Sequence, residues 1–236
     1  MSVLNGEMVQ SAIHGFMYFG DIVFAVSGAL AAGRRRMDIV GYVLIGTITG
    51  LGGGSLRDVL LDRPVWWTRE PVELYLCIMA TLLTYFCRLE IKDRYKATSW
   101  FDALGLSAFA VTGSTVALQV GVPWTIAVFM GVMTATGGGV IRDVLTGNPP
   151  MILCAGEFYA VAALAGSFVN VGMLQLQIQP EVAMAAGFMA TLIMRGASMI
   201  FNIRLGPPGE FVRVGGRNNK RTYPNHKQTP IRSGEA

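Results

Sequence analysis

Apolar residues fall in runs of about 20, enough for a helix rising ~1.5 Å per residue to cross a ~30 Å hydrocarbon core. These runs recur along almost the whole chain, and seven spans can be drawn: residues 13–32, 39–60, 72–88, 101–120, 124–145, 154–173 and 182–203. Lipid cannot satisfy an open backbone, so each span is predicted to be a helix and the fold class an all-α membrane protein. The first span lacks a cationic leader and a small-residue cleavage site, and Arg34, Arg35 and Arg36 follow it directly, as expected of a retained helix. Past Leu205 the pattern gives way to Gly-Pro-Pro-Gly and a basic stretch with few large apolar residues. Residues 1–204 are therefore expected to form the membrane domain and 205–236 a disordered cytoplasmic tail.

Sliding the sequence along itself by 85 residues lays 23–64 over 108–149 without a gap, with 16 of 42 positions identical; about 3 would be expected from an apolar-biased composition. Phe24-Ala25-Val26-Ser27-Gly28 falls on Phe109-Ala110-Val111-Thr112-Gly113, and Gly52-Gly53-Gly54-Ser55-Leu56-Arg57-Asp58 falls on Gly137-Gly138-Gly139-Val140-Ile141-Arg142-Asp143. The spans thus form repeat one (about 13–88), repeat two (about 101–173) and a seventh helix (about 182–203) outside both. Three spans per repeat is an odd number, so the second copy enters the membrane from the opposite side and the repeats are expected to be inverted.

The cations indicate the orientation. Arg34, Arg35, Arg36, Arg88, Lys92, Arg94, Lys96, Arg142, Arg204 and the tail cations collect on one side, against Arg57, Arg63 and Arg69 on the other. Lys and Arg are retained in short cytoplasmic loops, which predicts the N-terminus outside and the C-terminus inside.

Three consecutive glycines in an apolar helix cost ~1 kcal/mol each relative to alanine and strip one turn of its side chains. Such a segment either breaks the helix, in which case it is expected to line a cavity, or lets two helices pack closely. The duplication of the triplet, each copy followed by Arg-Asp, favours a pore or binding site. Gly52, Gly53, Gly54, Gly137, Gly138 and Gly139 are therefore pore candidates, with Ser27, Thr49, Thr112 and Thr134 as polar lining.

A charge at membrane depth costs ~2.5 to 3.5 kcal/mol on insertion scales. Asp21 is the foremost functional candidate among such charges, with Arg57 as its expected partner; Arg195 is expected to meet Asp102 or Asp143. Arg57-Asp58 and Arg142-Asp143 suit structural ion pairs and a permeation role equally. Glu73 and Glu157 begin spans three and six and are expected at the interfaces.

Composition narrows the class further: 52% of residues are apolar and only 14% charged, with a mean hydropathy of +0.47. The net charge of +4 is a topology signal and an attraction to anionic lipid headgroups; it does not call for nucleic acid. Cys77, Cys87 and Cys154 suit packing, and His14 and His226 have no partner at metal-ligand spacing, so no metal or cofactor is expected. Ser27 and Ser55 have no histidine base in reach, which excludes enzymatic chemistry of that kind. The triplets lack the Lys-Ser or Lys-Thr of a phosphate loop, and the potassium filter sequence Thr-Val-Gly-Tyr-Gly is absent.

Gly20-Asp21 with Phe24 to Gly28, both Gly-Gly-Gly-x-x-Arg-Asp-Val-Leu segments, and Pro64 and Pro149 after them resemble the prokaryotic branch of the trimeric intracellular cation channel family, also labelled glycine-transporter-like. The resemblance covers roughly residues 15–204. It implies two inverted three-helix repeats plus a final helix, a homotrimer, one hourglass path per protomer, and passage of potassium with sodium. Animal members carry Lys-Glu-Val before the glycines, where this chain has Thr49-Gly50-Leu51 and Thr134-Ala135-Thr136; lysine-based gating does not carry over. The expectation is a weakly selective monovalent cation channel of a bacterial inner membrane, and the alternative is a secondary transporter of a small solute such as glycine.

Overall fold

A computed structural model of the chain describes residues 7–87, 94–153, 158–201, 203–205 and 211–213. Seven α-helices run in order: α1 (Glu7–Arg34), α2 (Ile39–Leu60), α3 (Val72–Phe86), α4 (Arg94–Val120), α5 (Trp124–Leu145), α6 (Tyr159–Gln175) and α7 (Pro180–Phe201). Five of them, α1, α2, α4, α5 and α7, are long and apolar enough to cross a membrane. Helices α3 and α6 have 15 and 17 residues, about 22 to 26 Å at the helical rise. The predicted ends of spans three and six at Arg88 and Cys154 lie outside the described residues. So do Lys92, Glu157 and nearly all of the tail; Ile203–Leu205, at the junction of the seventh span and the tail, pairs with Phe211–Arg213 as a short antiparallel hairpin.

Helices α1, α2 and α3 pack on one another, as do α4, α5 and α6, while α7 lies against α6, α4 and α1. The two triplets of helices meet along α1–α4 and α2–α5. Phe24 and Phe109 are fully buried at the first seam with ring centroids 5.2 Å apart. Phe24 fills the notch left by Gly105, where a Cβ would collide with its ring, and Phe109 lies against Gly20, where a Cβ would come within 3.2 Å of it. These two contacts exchange under the 85-residue offset.

The structure corrects one expectation directly: α2 and α5 stay α-helical through both glycine triplets. The triplets serve close approach instead. A Cβ on Gly53 would collide with the Thr134 carbonyl oxygen, and one on Gly138 with that of Thr49. Only residues without side chains let two backbones approach this closely. Here too the contacts exchange under the offset, 49 with 134 and 53 with 138.

Both helices end alike. The Leu61 and Thr146 N–H groups donate to the carbonyls of Arg57 and Arg142, both at 3.0 Å. The next residues, Asp62 and Gly147, have φ of 51° and 64°, the left-handed conformation that commonly closes a helix. Arg35 donates to the Gly147 carbonyl at 2.8 Å, while His14 packs 5.0 Å from the Trp66 ring. Arg142 thus lies toward the Arg35 end of the bundle and Arg57 toward the Trp66 end.

Candidate functional site

Each Arg-Asp pair lies one turn beyond its glycine triplet and is built in the same way. At the Trp66 end, Arg57 Nε and Nη2 donate to Asp58 Oδ1 at 2.9 and 2.8 Å, and Asp58 Oδ2 accepts from the Trp66 backbone N–H at 3.2 Å. At the Arg35 end, Arg142 Nε donates to Asp143 Oδ1 at 2.9 Å, and Asp143 Oδ2 accepts from the Met151 N–H at 3.0 Å. Residues 66 and 151 are again 85 apart, so each aspartate both orients its arginine and fixes the chain leaving its helix.

Beyond that shared frame the sites diverge. Arg142, with no exposed surface, donates through Nη1 to Asp102 Oδ1 at 2.7 Å and to Ser27 Oγ at 2.6 Å. Ser27 in turn donates to the Thr98 carbonyl at 3.2 Å, and the Tyr159 hydroxyl donates to Asp102 Oδ1 at 3.3 Å. The Arg195 guanidinium lies over the Tyr159 ring, 5.1 Å from its centroid. Asp102 and Asp143, each proposed from the sequence as a partner for Arg195, are both bonded by Arg142. Ser27, expected as pore lining, is a link between α1, α4 and α5.

At the Trp66 end the arginine is bonded, among the described residues, to its neighbour in sequence alone. Arg57, the expected partner of Asp21, lies within electrostatic reach of it, while Asp21 Oδ2, Glu73 Oε1 and Arg57 Nη1 are all buried with no hydrogen-bond partner. Glu73, expected at an interface, is 3% exposed. A Cβ on Gly54 would meet nothing closer than Arg57 Nη2 at 3.8 Å, whereas one on Gly139 would meet the Tyr159 hydroxyl at 2.5 Å and Asp102 Oδ1 at 3.1 Å.

The hydroxyls of Thr49, Thr112 and Thr134 return to carbonyls one turn back, at 2.5, 3.0 and 2.7 Å. All three residues are fully buried, Thr49 and Thr134 at the α2–α5 crossing. Sequence reasoning missed Tyr159 and the burial of Glu73. Tyr159 stands opposite Leu74 in the repeat alignment, so no duplicated motif marks it, and the only signal for Glu73 is an acid at the head of an apolar run.

A family model described as "Glycine transporter" matches residues 15–88 and 99–175, spanning both sites. The chain belongs to this family. It is 36% identical over 192 residues to the UPF0126 inner membrane protein YadS of Escherichia coli (strain K12), covering 79% of this chain and 91% of that one. It is also 36% identical over 189 residues to the UPF0126 membrane protein YvgT of Bacillus subtilis (strain 168), with the same coverage. Among solved structures it is similar to the TRIC trimeric intracellular cation channel orthologue from Rhodobacter sphaeroides, with a TM-score of 0.79 and 42% identity over 82% of this chain and all of that one. A second structure, described as the structural basis for conductance through TRIC cation channels, matches with a TM-score of 0.73 and 33% identity over 86% and 98%. The resemblance read from the duplicated glycine motif is thereby established, and the glycine-transporter label belongs to the same family.

Proposed function

We propose that this protein is a monovalent cation channel of the bacterial inner membrane, passing potassium and sodium, with one path in each protomer of a homotrimer. The observation that carries this reading is the likeness to the Rhodobacter sphaeroides cation channel orthologue, which extends over that whole chain. The path runs along the α2–α5 crossing between the two Arg-Asp sites. Ser27, Thr49, Thr112 and Thr134, the polar residues expected along it, are fully buried. The two triplets of helices are inverted repeats about an axis in the membrane plane. The reciprocal contacts 49–138 with 53–134, and 20–109 with 24–105, support that relation. The Arg35 end is cytoplasmic, supported by the cations gathered there.

The direct test is a planar-bilayer recording of the purified protein under a potassium chloride gradient, repeated with glycine, alongside glycine counterflow in liposomes. Unitary steps reversing near the potassium potential are expected. A silent bilayer with saturable glycine counterflow would replace the channel with a transporter.

A further inference from the structure

The two halves meet α7 differently. The 85-residue offset, carried back along the helices, sets Gly15 and Phe16 of α1 against Trp100 and Phe101 of α4. In the second half that position is filled: a Cβ on Gly196 of α7 would meet the Trp100 ring at 3.6 Å. In the first half it is empty, because a Cβ on Gly15 would find nothing within 4 Å. Beside Gly15 a groove of about 390 Å³ opens between α1 and α7, lined by Ala12, Gly15, Phe16, Phe19, Glu181 and Phe188.

Both ends of the groove are defined. Phe188 marks the deep end, its ring centroid 5.6 Å from that of Phe16 and 6.0 Å from that of Phe19. The mouth reaches Glu181, in the first turn of α7, and Trp66 packs against the same end of the bundle, on the cluster that holds Val9, Ile13 and Met184. A tryptophan and a charge at a helix start mark the level of the lipid headgroups. From Ala12 to Phe19 the helical rise gives a length of about 10 Å, so the groove runs from the headgroups into the hydrocarbon of one leaflet. Spread over that length, its volume leaves a cross-section of about 40 Å², roughly half that of a helix about 10–12 Å across or less. The slot admits an unbranched hydrocarbon chain and excludes a helix of a second copy.

We infer that the α1–α7 groove binds one phospholipid with a primary ammonium headgroup, of the phosphatidylethanolamine kind, its acyl chain lying along Gly15 and its ammonium on the Glu181 carboxylate. Hydrocarbon gains little by leaving other hydrocarbon, so the chain is held by the dispersion contacts of filling the notch. The headgroup is chosen at the mouth. A carboxylate in a first helical turn suits the helix dipole; at the mouth of a groove lined by no Lys or Arg among the described residues it also repels an anionic headgroup and accepts a charge-assisted hydrogen bond from an ammonium. A quaternary choline headgroup has no N–H to donate. The inference needs only that the bundle spans a membrane and is independent of conduction.

The test uses the full chain, delipidated in detergent and followed by native mass spectrometry as phosphatidylethanolamine, phosphatidylglycerol or phosphatidylcholine with identical acyl chains is added back. One phosphatidylethanolamine per protomer is expected to be held about threefold better than either of the others, the ratio a partly exposed ion pair supplies. Glu181→Gln should level the three. Gly15→Trp, which supplies the side chain that the second half carries at Trp100, should lose the bound lipid whatever its headgroup. Gly172→Trp, which also enters open space but on α6, should keep it. The inference is overturned by equal retention of the three lipids in the unsubstituted protein, by undiminished retention in Gly15→Trp, or by a Gly15→Trp protein that keeps its lipid and changes its oligomeric state, which would give the groove to a second copy. If Gly15→Trp does not fold, Gly15→Leu and Glu181→Gln decide.

Discussion

The two Arg-Asp sites start from the same local chemistry and end with different consequences. Both place an arginine one turn past three glycines, bond it to the next aspartate, and use that aspartate to hold a backbone N–H eight residues on. At the Arg35 end, residues outside the duplicated motif, Asp102 and Tyr159, extend the hydrogen bonding through Asp102 Oδ1, while Asp102 Oδ2 is buried without a partner. At the Trp66 end a Cβ on Gly54 would meet nothing closer than Arg57 Nη2 at 3.8 Å, and Asp21 Oδ2, Glu73 Oε1 and Arg57 Nη1 are buried without a hydrogen-bond partner. A duplicated motif therefore sets the frame, and the neighbours supplied by other helices decide how far its hydrogen bonding extends.

Asp102→Ala should separate the two ends most sharply. It leaves the Arg142 guanidinium buried beside a lost partner, a change that costs roughly 3–5 kcal/mol when a buried ion pair is broken from one side. Glu73→Gln, at a side chain whose Oε1 is buried without a hydrogen-bond partner, should cost far less or raise the midpoint. Equal losses in thermal unfolding would mean that the ends are not different in kind.

Next come the residues the two halves share. Gly53→Ala and Gly138→Ala each drive a Cβ into a carbonyl oxygen across the α2–α5 crossing. Each should cost about 1–3 kcal/mol by overpacking, and the two losses should agree, because their contacts are mirror copies. A loss in one alone would argue against the reciprocal crossing.

One turn further along, the symmetry should fail. Gly139→Ala crowds the Tyr159 hydroxyl and should lower the midpoint, whereas Gly54→Ala enters open space and should gain up to about 1 kcal/mol of helix propensity. The smallest effect is expected at the helix ends. Asp62→Gly relieves a side chain held at positive φ and should gain less than about 1 kcal/mol; circular dichroism melts of the pair of variants would resolve it.

Much of this was legible in the sequence. The limits of α2 and α5 coincide with the predicted spans at 39–60 and 124–145, because apolar length and polar flanks alone define a membrane helix. The duplication marked both Arg-Asp pairs, since repeated residues at fixed offset survive only where both copies carry a constraint. The partners of those residues were not legible. Hydropathy says that Glu73 is charged near the head of a span but not that the folded chain leaves it only 3% exposed. Nor could three glycines reveal whether a helix breaks or a neighbour moves in. That is decided by the opposing surface, here another glycine turn carried 85 residues away.

The paired notches at Gly20 and Gly105, each occupied by the other half's phenylalanine, have an ancestral implication. A surface on which residue i meets j while j meets i is what a two-fold homodimer presents. One three-helix unit, inserted in both orientations, would already have made this contact with a copy of itself. On the proposed inverted-repeat reading, fusion into one chain would free the two copies to differ, as they do at Asp102 and Tyr159 on one side and at Asp21 and Glu73 on the other.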